Sequence, residues 1–188
     1  RSGRVLHIWP LPLDALFDGV EGFDGEVELR NFYPIGLGLL RDGSLVATFH
    51  ARNMYPYAVG IARIDPAGRI VWKNFDGAHH WVRIGPDDRI YAPVQIRRTV
   101  DHVADNAVEI RCPHAIYDGG VRIYRPDGTV ERTVMMAEML IQNGYPGLIY
   151  SVRDDCDPVH TNSVELVTPH IAARIPGGLA GELLVSIR

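Results

Sequence analysis

The sequence lacks the features that mark several common classes of protein. No apolar run approaches the roughly 20 residues that a membrane-spanning helix needs, so we predict no transmembrane helix. The formal net charge of -4 and the pI of about 6.0 give no positive field for a phosphate backbone, and we therefore expect no nucleic-acid partner. Neither an HExxH motif nor a close His-x-His pair is present, so we predict no metal site.

Cysteine is also scarce. Cys112 and Cys156 fit neither a zinc cluster nor a CxxC redox motif. A single pair can form one disulfide or remain as two buried thiols, and the sequence favours neither alternative. No charged-then-apolar signal segment follows Arg1, so we expect either a removed leader or absent upstream sequence.

Glycine and proline, in contrast, are frequent and spread along the chain. The 188 residues include 19 Gly and 13 Pro, and 46% of the residues are hydrophobic. This composition is typical of a globular domain with a buried core. Turn formers at short intervals favour many short strands over long helices.

A strand-turn-strand pattern occurs three times. Each copy begins with a small or polar residue, turns on a Gly, Asp or Pro element and continues into a β-branched strand, as a hairpin requires. The copies lie at 36–50, 79–95 and 160–188, with turns at Asp42-Gly43, Gly85-Pro86-Asp87-Asp88 and Pro176-Gly177-Gly178. A second hairpin type alternates with them, at 60–74 and 120–134. The alternation predicts units of four antiparallel strands, as in a propeller blade.

The predicted fold class is all-β: a partial β-propeller of four-stranded antiparallel blades, forming a single domain over residues 1–188. The blades are predicted at about 36–74, 79–135 and 160–188, the last being an inner half, and residues 1–11 match the outer strand of a preceding blade. Because propellers need at least four blades, and we expect about six, a longer protein or another chain should supply the remaining blades.

Two stretches fall outside the predicted repeat. Residues 12–35 are predicted as an irregular loop with acidic and aromatic residues. Residues 136–150 carry apolar residues at helical spacing, and Asn143-Gly144 is a natural helix stop. We therefore predict a short helix there, on the outside or the end of the propeller.

Histidines stand at the mouths of the predicted inner strands. His79 and His80 begin one hairpin copy and His160 begins another, which we interpret as equivalent repeat positions. Because inner strands line the channel of a propeller, these imidazoles would converge on one axis, where a site is usual. At this stage a functional and a structural role are about equally supported. The other five histidines are interpreted as structural or solvated, although His114 could approach the channel: His7, His50, His102, His114 and His170.

Three motifs resemble those of the arylsulfotransferases and their propeller relatives. They are Ala78-His79-His80-Trp81, Asp157-Pro158-Val159-His160-Thr161-Asn162-Ser163-Val164 and Leu183-Leu184-Val185-Ser186-Ile187-Arg188. The resemblance implies sulfuryl transfer from an aryl sulfate to a phenolic acceptor through a sulfated histidine, without a metal or nucleotide cofactor. It implies that His80 or its neighbour His79, together with His160 and Arg188, holds the sulfate, and that Asn162 orients the loop.

The sequence departs from that family in three places. The family's nucleophilic histidine lies on a later blade, downstream of the position of Arg188, and is therefore expected outside this sequence. An insertion at 168–181 lengthens the connection between His160 and Arg188. Trp81 stands where the family usually has an acidic residue. These differences indicate a divergent branch.

Two other functions stay open. A non-catalytic propeller could serve as a rigid binding or assembly module, because fold does not fix function. A quinone-dependent dehydrogenase is the weakest alternative, because that class carries a tryptophan motif in every blade, whereas Trp9, Trp72 and Trp81 occupy unequal repeat positions. The resemblance also implies export to the periplasm or the cell surface, with or without an upstream membrane anchor, and a disulfide would agree with export.

Overall fold

The computed structural model describes residues 3–20, 28–52, 57–98, 112, 115–150 and 156–188, and the backbone of a small hairpin at 102–103 and 108–109. Strands dominate these residues, so the chain is mostly β. The strands are β1 Phe32–Leu39, β2 Leu45–Ala51, β3 Ala58–Ile64, β4 Ile70–Asn74, β5 Arg83–Ile84, β6 Ile90–Arg98, β7 His102–Val103, β8 Val108–Glu109, β9 Ile116–Tyr124, β10 Val130–Met135, β11 Thr161–Leu166 and β12 Leu183–Ile187. The helices are α1 Leu13–Phe17, α2 Met136–Gln142, α3 Gly147–Tyr150 and α4 Pro169–Ala172, and a 3-10 turn spans Leu29–Asn31.

The first sheet is antiparallel, in the order β1-β2-β3-β4. Its hairpin turns contain Gly43 (φ 84°) and Gly68 (φ 85°), because glycine adopts a left-handed backbone without steric cost. Backbone hydrogen bonds close both turns, from Gly43 N to Leu40 O at 3.0 Å and from Gly68 N to Asp65 O at 2.9 Å. The unit predicted at 36–74 is thus confirmed as a four-stranded antiparallel sheet.

The second sheet has the order β10-β9-β6-β5, and the hairpin β7-β8 is inserted between β6 and β9. A bridge between Ala78 and Val94 continues the pairing of the short β5 toward His79 and His80. A third sheet pairs β11 with β12. The predicted units at 79–135 and 160–188 therefore form four and two antiparallel strands. The described residues form no closed barrel or propeller ring.

The first two sheets pack against each other through a buried apolar layer. It draws on both sheets: Leu40, Val46, Ile61, Ala78, Ile90, Ala92, Val94 and Tyr124. The turn before β10 also docks on β4, because Trp72 Nε1 donates to Pro126 O at 2.9 Å and Asn74 Nδ2 donates to Gly128 O at 3.0 Å. Both kinds of contact hold the first sheet against the second.

Residues 3–12, which include most of the outer strand predicted over residues 1–11, contain no strand among the described residues. Trp9 Nε1 instead donates to Gly43 O at 3.1 Å, and His7 Nε2 lies 3.0 Å from Pro66 O. The segment therefore lies over the ends of two hairpins of the first sheet. Its assignment to a preceding blade stays a prediction.

The loop predicted over residues 12–35 is only partly irregular. Leu13, Leu16 and Phe17 stand at helical spacing and form α1, which buries Leu16 and Phe17 in the core of the first sheet. The prediction missed this helix because it is barely longer than one turn. Residues 21–27 lie outside the described residues.

The helix predicted within residues 136–150 is confirmed as α2 and α3. The chain leaves α2 through Asn143 and Gly144 (φ 81°), the predicted stop. No helix in the described part of the chain has the length and apolarity needed to cross a membrane.

The two cysteines form a disulfide, which excludes the alternative of buried thiols. Cys112 and Cys156 have a Cα–Cα distance of 5.1 Å. Beside the bond, Tyr117 N donates to Cys156 O at 2.8 Å. The chain before β9 is thereby tied to the chain before β11, which carries His160.

Candidate functional site

A cavity of about 350 Å³ receives side chains from all three sheets. Four of the five predicted site residues line it: His79, His80, His160 and Arg188. The prediction missed the other lining residues His50, Tyr57, Ala58, Gln95 and Asp157. Asn162 is half-buried at a bulge of β11 and does not line the cavity, so its predicted role in orienting the loop stays a prediction.

His50, Gln95 and Arg188 occupy equivalent positions in the three hairpins. In each hairpin one carbonyl accepts the hydrogen bond that closes the turn, and the lining residue follows about six positions later, in the second strand or directly after it. The closing bonds run from Leu40 N to Ser44 O at 2.9 Å, from Gly85 N to Arg89 O at 2.8 Å and from Val167 N to Glu182 O at 2.8 Å. The interpretation of His50 as merely structural or solvated was therefore incomplete, and alignment of the three turns would have placed it at the cavity.

The predicted histidines, in contrast, do not occupy equivalent positions. Ala78 pairs with Val94 and Thr161 pairs with Ile187. These pairs correspond because Val94 and Ile187 directly precede the equivalent residues Gln95 and Arg188. His160 thus directly precedes Thr161, whereas His79 and His80 follow Ala78. The imidazoles reach one cavity by different routes.

The backbone of His80 lies in the left-handed region, with φ of 54°, which is uncommon for a residue other than glycine. Thr48 fixes it, because its Oγ1 donates to His80 O at 2.6 Å and accepts from Gly36 N at 3.0 Å. A Cβ atom on Gly36 would lie 1.9 Å from His80 O, so only glycine allows β1 to approach so closely. Such backbone strain is concentrated at functional sites.

Asp157 orients His160 and Arg188. Its carboxylate is 4% exposed, and Oδ2 lies 2.7 Å from His160 Nδ1 and accepts from an Arg188 nitrogen at 3.1 Å. Because a carboxylate accepts, His160 carries a proton on Nδ1. Its Nε2 then lies 2.9 Å from Nε2 of His80, so one of these two nitrogens donates to the other. The i, i+3 spacing of Asp157 and His160 was the available sequence signal.

His79 is the most buried member of the site, at 1% exposure. Its Nδ1 lies 3.0 Å from Gly77 O, and because a carbonyl only accepts, the ring proton is on Nδ1. Its Nε2 is buried and has no hydrogen-bond partner among the described residues. The lone pair of that nitrogen is therefore free.

Burial sets the protonation of three of these imidazoles. Burial, together with the neighbouring imidazoles, lowers the pKa of His79 to about 3 and the pKa values of His50 and His80 to about 4. All three are therefore uncharged at neutral pH. Among the described lining residues, Arg188 carries the permanent positive charge.

Several predicted features lie away from the cavity. His7 and His170 are exposed, as predicted, and Trp81 is 62% exposed. His114 and the side chain of His102 lie outside the described residues.

No protein-family model, curated protein or solved structure matches the chain.

Proposed function

We propose that the chain is part of a β-propeller that binds an aryl sulfate and transfers its sulfuryl group to a phenolic acceptor. The convergence of His80, His160 and Arg188 on one cavity carries this proposal. These residues come from the three motifs that resemble the arylsulfotransferases, and 80 positions separate His80 from His160. The resemblance and the geometry thus select the same side chains.

The arrangement of the sheets supports the propeller. Two four-stranded antiparallel sheets follow each other along the chain and pack together, and half of a third follows. The cavity lies where the first hairpins of all three sheets meet, as the channel mouth of a propeller would. The remaining blades of a ring of about six would come from outside this sequence.

The lining groups suit a sulfuryl group. Its oxygens carry negative charge, and they would accept from the guanidinium of Arg188 and from the N–H that lies on one of the facing Nε2 atoms of His80 and His160. Asp157 keeps His160 and Arg188 beside each other. Tyr57 also lines the cavity and offers an aromatic surface to the aryl ring.

The transfer would proceed in two displacements. In the first, an imidazole nitrogen bonds to sulfur and the bond from sulfur to the aryl oxygen breaks, so that a phenolate leaves and takes up a proton. In the second, the acceptor oxygen bonds to sulfur, the N–S bond breaks and the acceptor's proton passes to a base. By resemblance, the nucleophile is a histidine outside this sequence, while His80, His160 and Arg188 hold the sulfuryl oxygens. The disulfide agrees with a location in the periplasm or at the cell surface, with or without an anchor upstream.

Release of nitrophenol from p-nitrophenyl sulfate in the presence of phenol tests the proposal on the full-length protein. We expect Arg188→Gln and His160→Ala to lower kcat/KM by about 100-fold or more, the usual effect of losing one donor to a developing oxyanion. His170→Ala, an exposed histidine away from the cavity, should leave the rate unchanged. Absence of release from the intact protein would refute the transferase, and binding of the ester without release would favour the non-catalytic module.

A further inference from the structure

We propose that the Nε2 atoms of His79, His80 and His160 form a binding site for a divalent transition metal such as Zn²⁺. One ligand atom from each of the three residues lies within 4.8 Å of the other two. The sequence analysis predicted no metal site because the three residues match no ligand motif. The fold brings them together from two separate loops.

The unused ring nitrogens support this site. Ligating histidines usually donate their other N–H to a carbonyl or a carboxylate, which fixes the tautomer and the ring orientation. His79 Nδ1 lies 3.0 Å from Gly77 O, and His160 Nδ1 lies 2.7 Å from Asp157 Oδ2. Both rings therefore carry their unused lone pair on Nε2.

A second observation comes from the buried end of His79. Its Nε2 has no hydrogen-bond partner among the described residues, although the side chain is 1% exposed. Buried polar atoms without a partner are uncommon, and each requires an explanation. A metal ion in the cluster would supply the missing partner.

The range of separations of the ligand nitrogens includes the value that tetrahedral coordination needs. Zn–N bonds of 2.0–2.1 Å place the ligand nitrogens about 3.3 Å apart. This separation lies between the 2.9 Å that joins Nε2 of His80 to Nε2 of His160 and the 4.8 Å limit of the cluster. Three histidines leave a fourth position open toward the cavity, and imidazole ligands suit zinc, copper and nickel.

This metal site does not depend on the proposed function. The metal would take the same Nε2 atoms of His80 and His160 that would face a sulfuryl group, so metal and aryl sulfate should exclude each other. Arg188 separates the two proposals, because it would bind the sulfuryl oxygens but ligates no metal.

Zn²⁺ titration of the untagged full-length protein against a chromogenic chelator tests the site. We expect one equivalent to bind tightly, and His80→Asn to weaken binding by at least about 10-fold, as loss of one ligand requires. Asparagine suits this position because it tolerates the left-handed backbone of His80. His170→Asn makes the same chemical change on an exposed residue and should bind Zn²⁺ as the wild type does.

Arg188→Gln should retain Zn²⁺ binding whether or not it loses transferase activity. Circular dichroism checks that each variant is folded; if His80→Asn is not, His160→Gln replaces it. Tetrahedral absorption bands of bound Co²⁺ would give independent support. Absence of a tight equivalent in the wild type, or equal affinity in a folded ligand variant, would overturn the proposal.

Discussion

Replacing Gly36 by alanine tests how closely β1 approaches the loop that carries His80. The added Cβ would lie 1.9 Å from His80 O and 2.6 Å from Thr48 Oγ1. The carbonyl oxygen belongs to the backbone, so no side-chain rotation relieves the contact. To reach even 3.0 Å, the lower limit of real Cβ contacts, strand and loop must separate by about 1 Å.

That separation should break two hydrogen bonds, from Thr48 Oγ1 to His80 O and from Gly36 N to Thr48 Oγ1. Each contributes about 1 kcal/mol, and overpacking a tight interior costs about 1–3 kcal/mol more. We therefore expect the free energy of unfolding to fall by about 3–5 kcal/mol. For a chain of this length the melting temperature should fall by about 10 °C.

Guanidinium and thermal denaturation of wild type and Gly36→Ala measure this effect. Gly147→Ala is the matched control, because no atom lies within 4 Å of its added Cβ and its φ is not positive. It should change stability by less than about 1 kcal/mol. If the Gly36 variant melts within about 2 °C of the wild type, β1 does not approach the His80 loop as described.

Two further predictions concern pH and the disulfide. Burial lowers the pKa of His79 to about 3, so only the unfolded chain takes up a proton at this residue as the pH falls below about 6.5, and this residue alone should make unfolding at pH 5 easier by about 2 kcal/mol. His50 and His80, whose pKa values are also lowered, act in the same direction, and Asp118, whose pKa burial raises to about 6, acts in the opposite direction. All three are present in wild type and in His79→Gln, so the variant should show the weaker acid destabilisation in denaturant titrations; equal pH dependence would contradict this account. The disulfide between Cys112 and Cys156 closes a loop with a sequence separation of 44 and should stabilise the folded state by about 4 kcal/mol. Reductant should therefore lower the melting temperature of the wild type by roughly 10 °C and leave that of a variant with Ser at both positions unchanged. A wild-type melting temperature that is insensitive to complete reduction would refute this.

The four-stranded units were predictable because their signals are local. A turn such as Asp42-Gly43 fixes its own backbone, and the β-branched strand after it needs only alternation to be recognised. Residues 3–12 and α1 were not predictable in this way. The first segment has strand-like composition but lies across hairpin ends, and α1 is stabilised by burial of Leu16 and Phe17 and not by a long periodic pattern.

The candidate site was predictable where a motif carried it. His80, His160 and Arg188 stand in the three resembling motifs, and all three line the cavity. His50 stands in no motif and became apparent only from the equivalent turn positions. The contact between Nε2 of His80 and Nε2 of His160 was not predictable, because it depends on how two sheets pack.

The charges around the cavity bear on which ester it would take. Arg188 and Asp157 offset each other, and three imidazoles are uncharged at neutral pH, so an anion would enter a site with little net charge. A sulfate monoester brings one negative charge, the smaller charge of the two kinds of ester. A phosphate monoester brings about -1.5 to -2 at neutral pH and would leave charge uncompensated in a partly buried cavity. The proposed site should therefore prefer the singly charged sulfate ester.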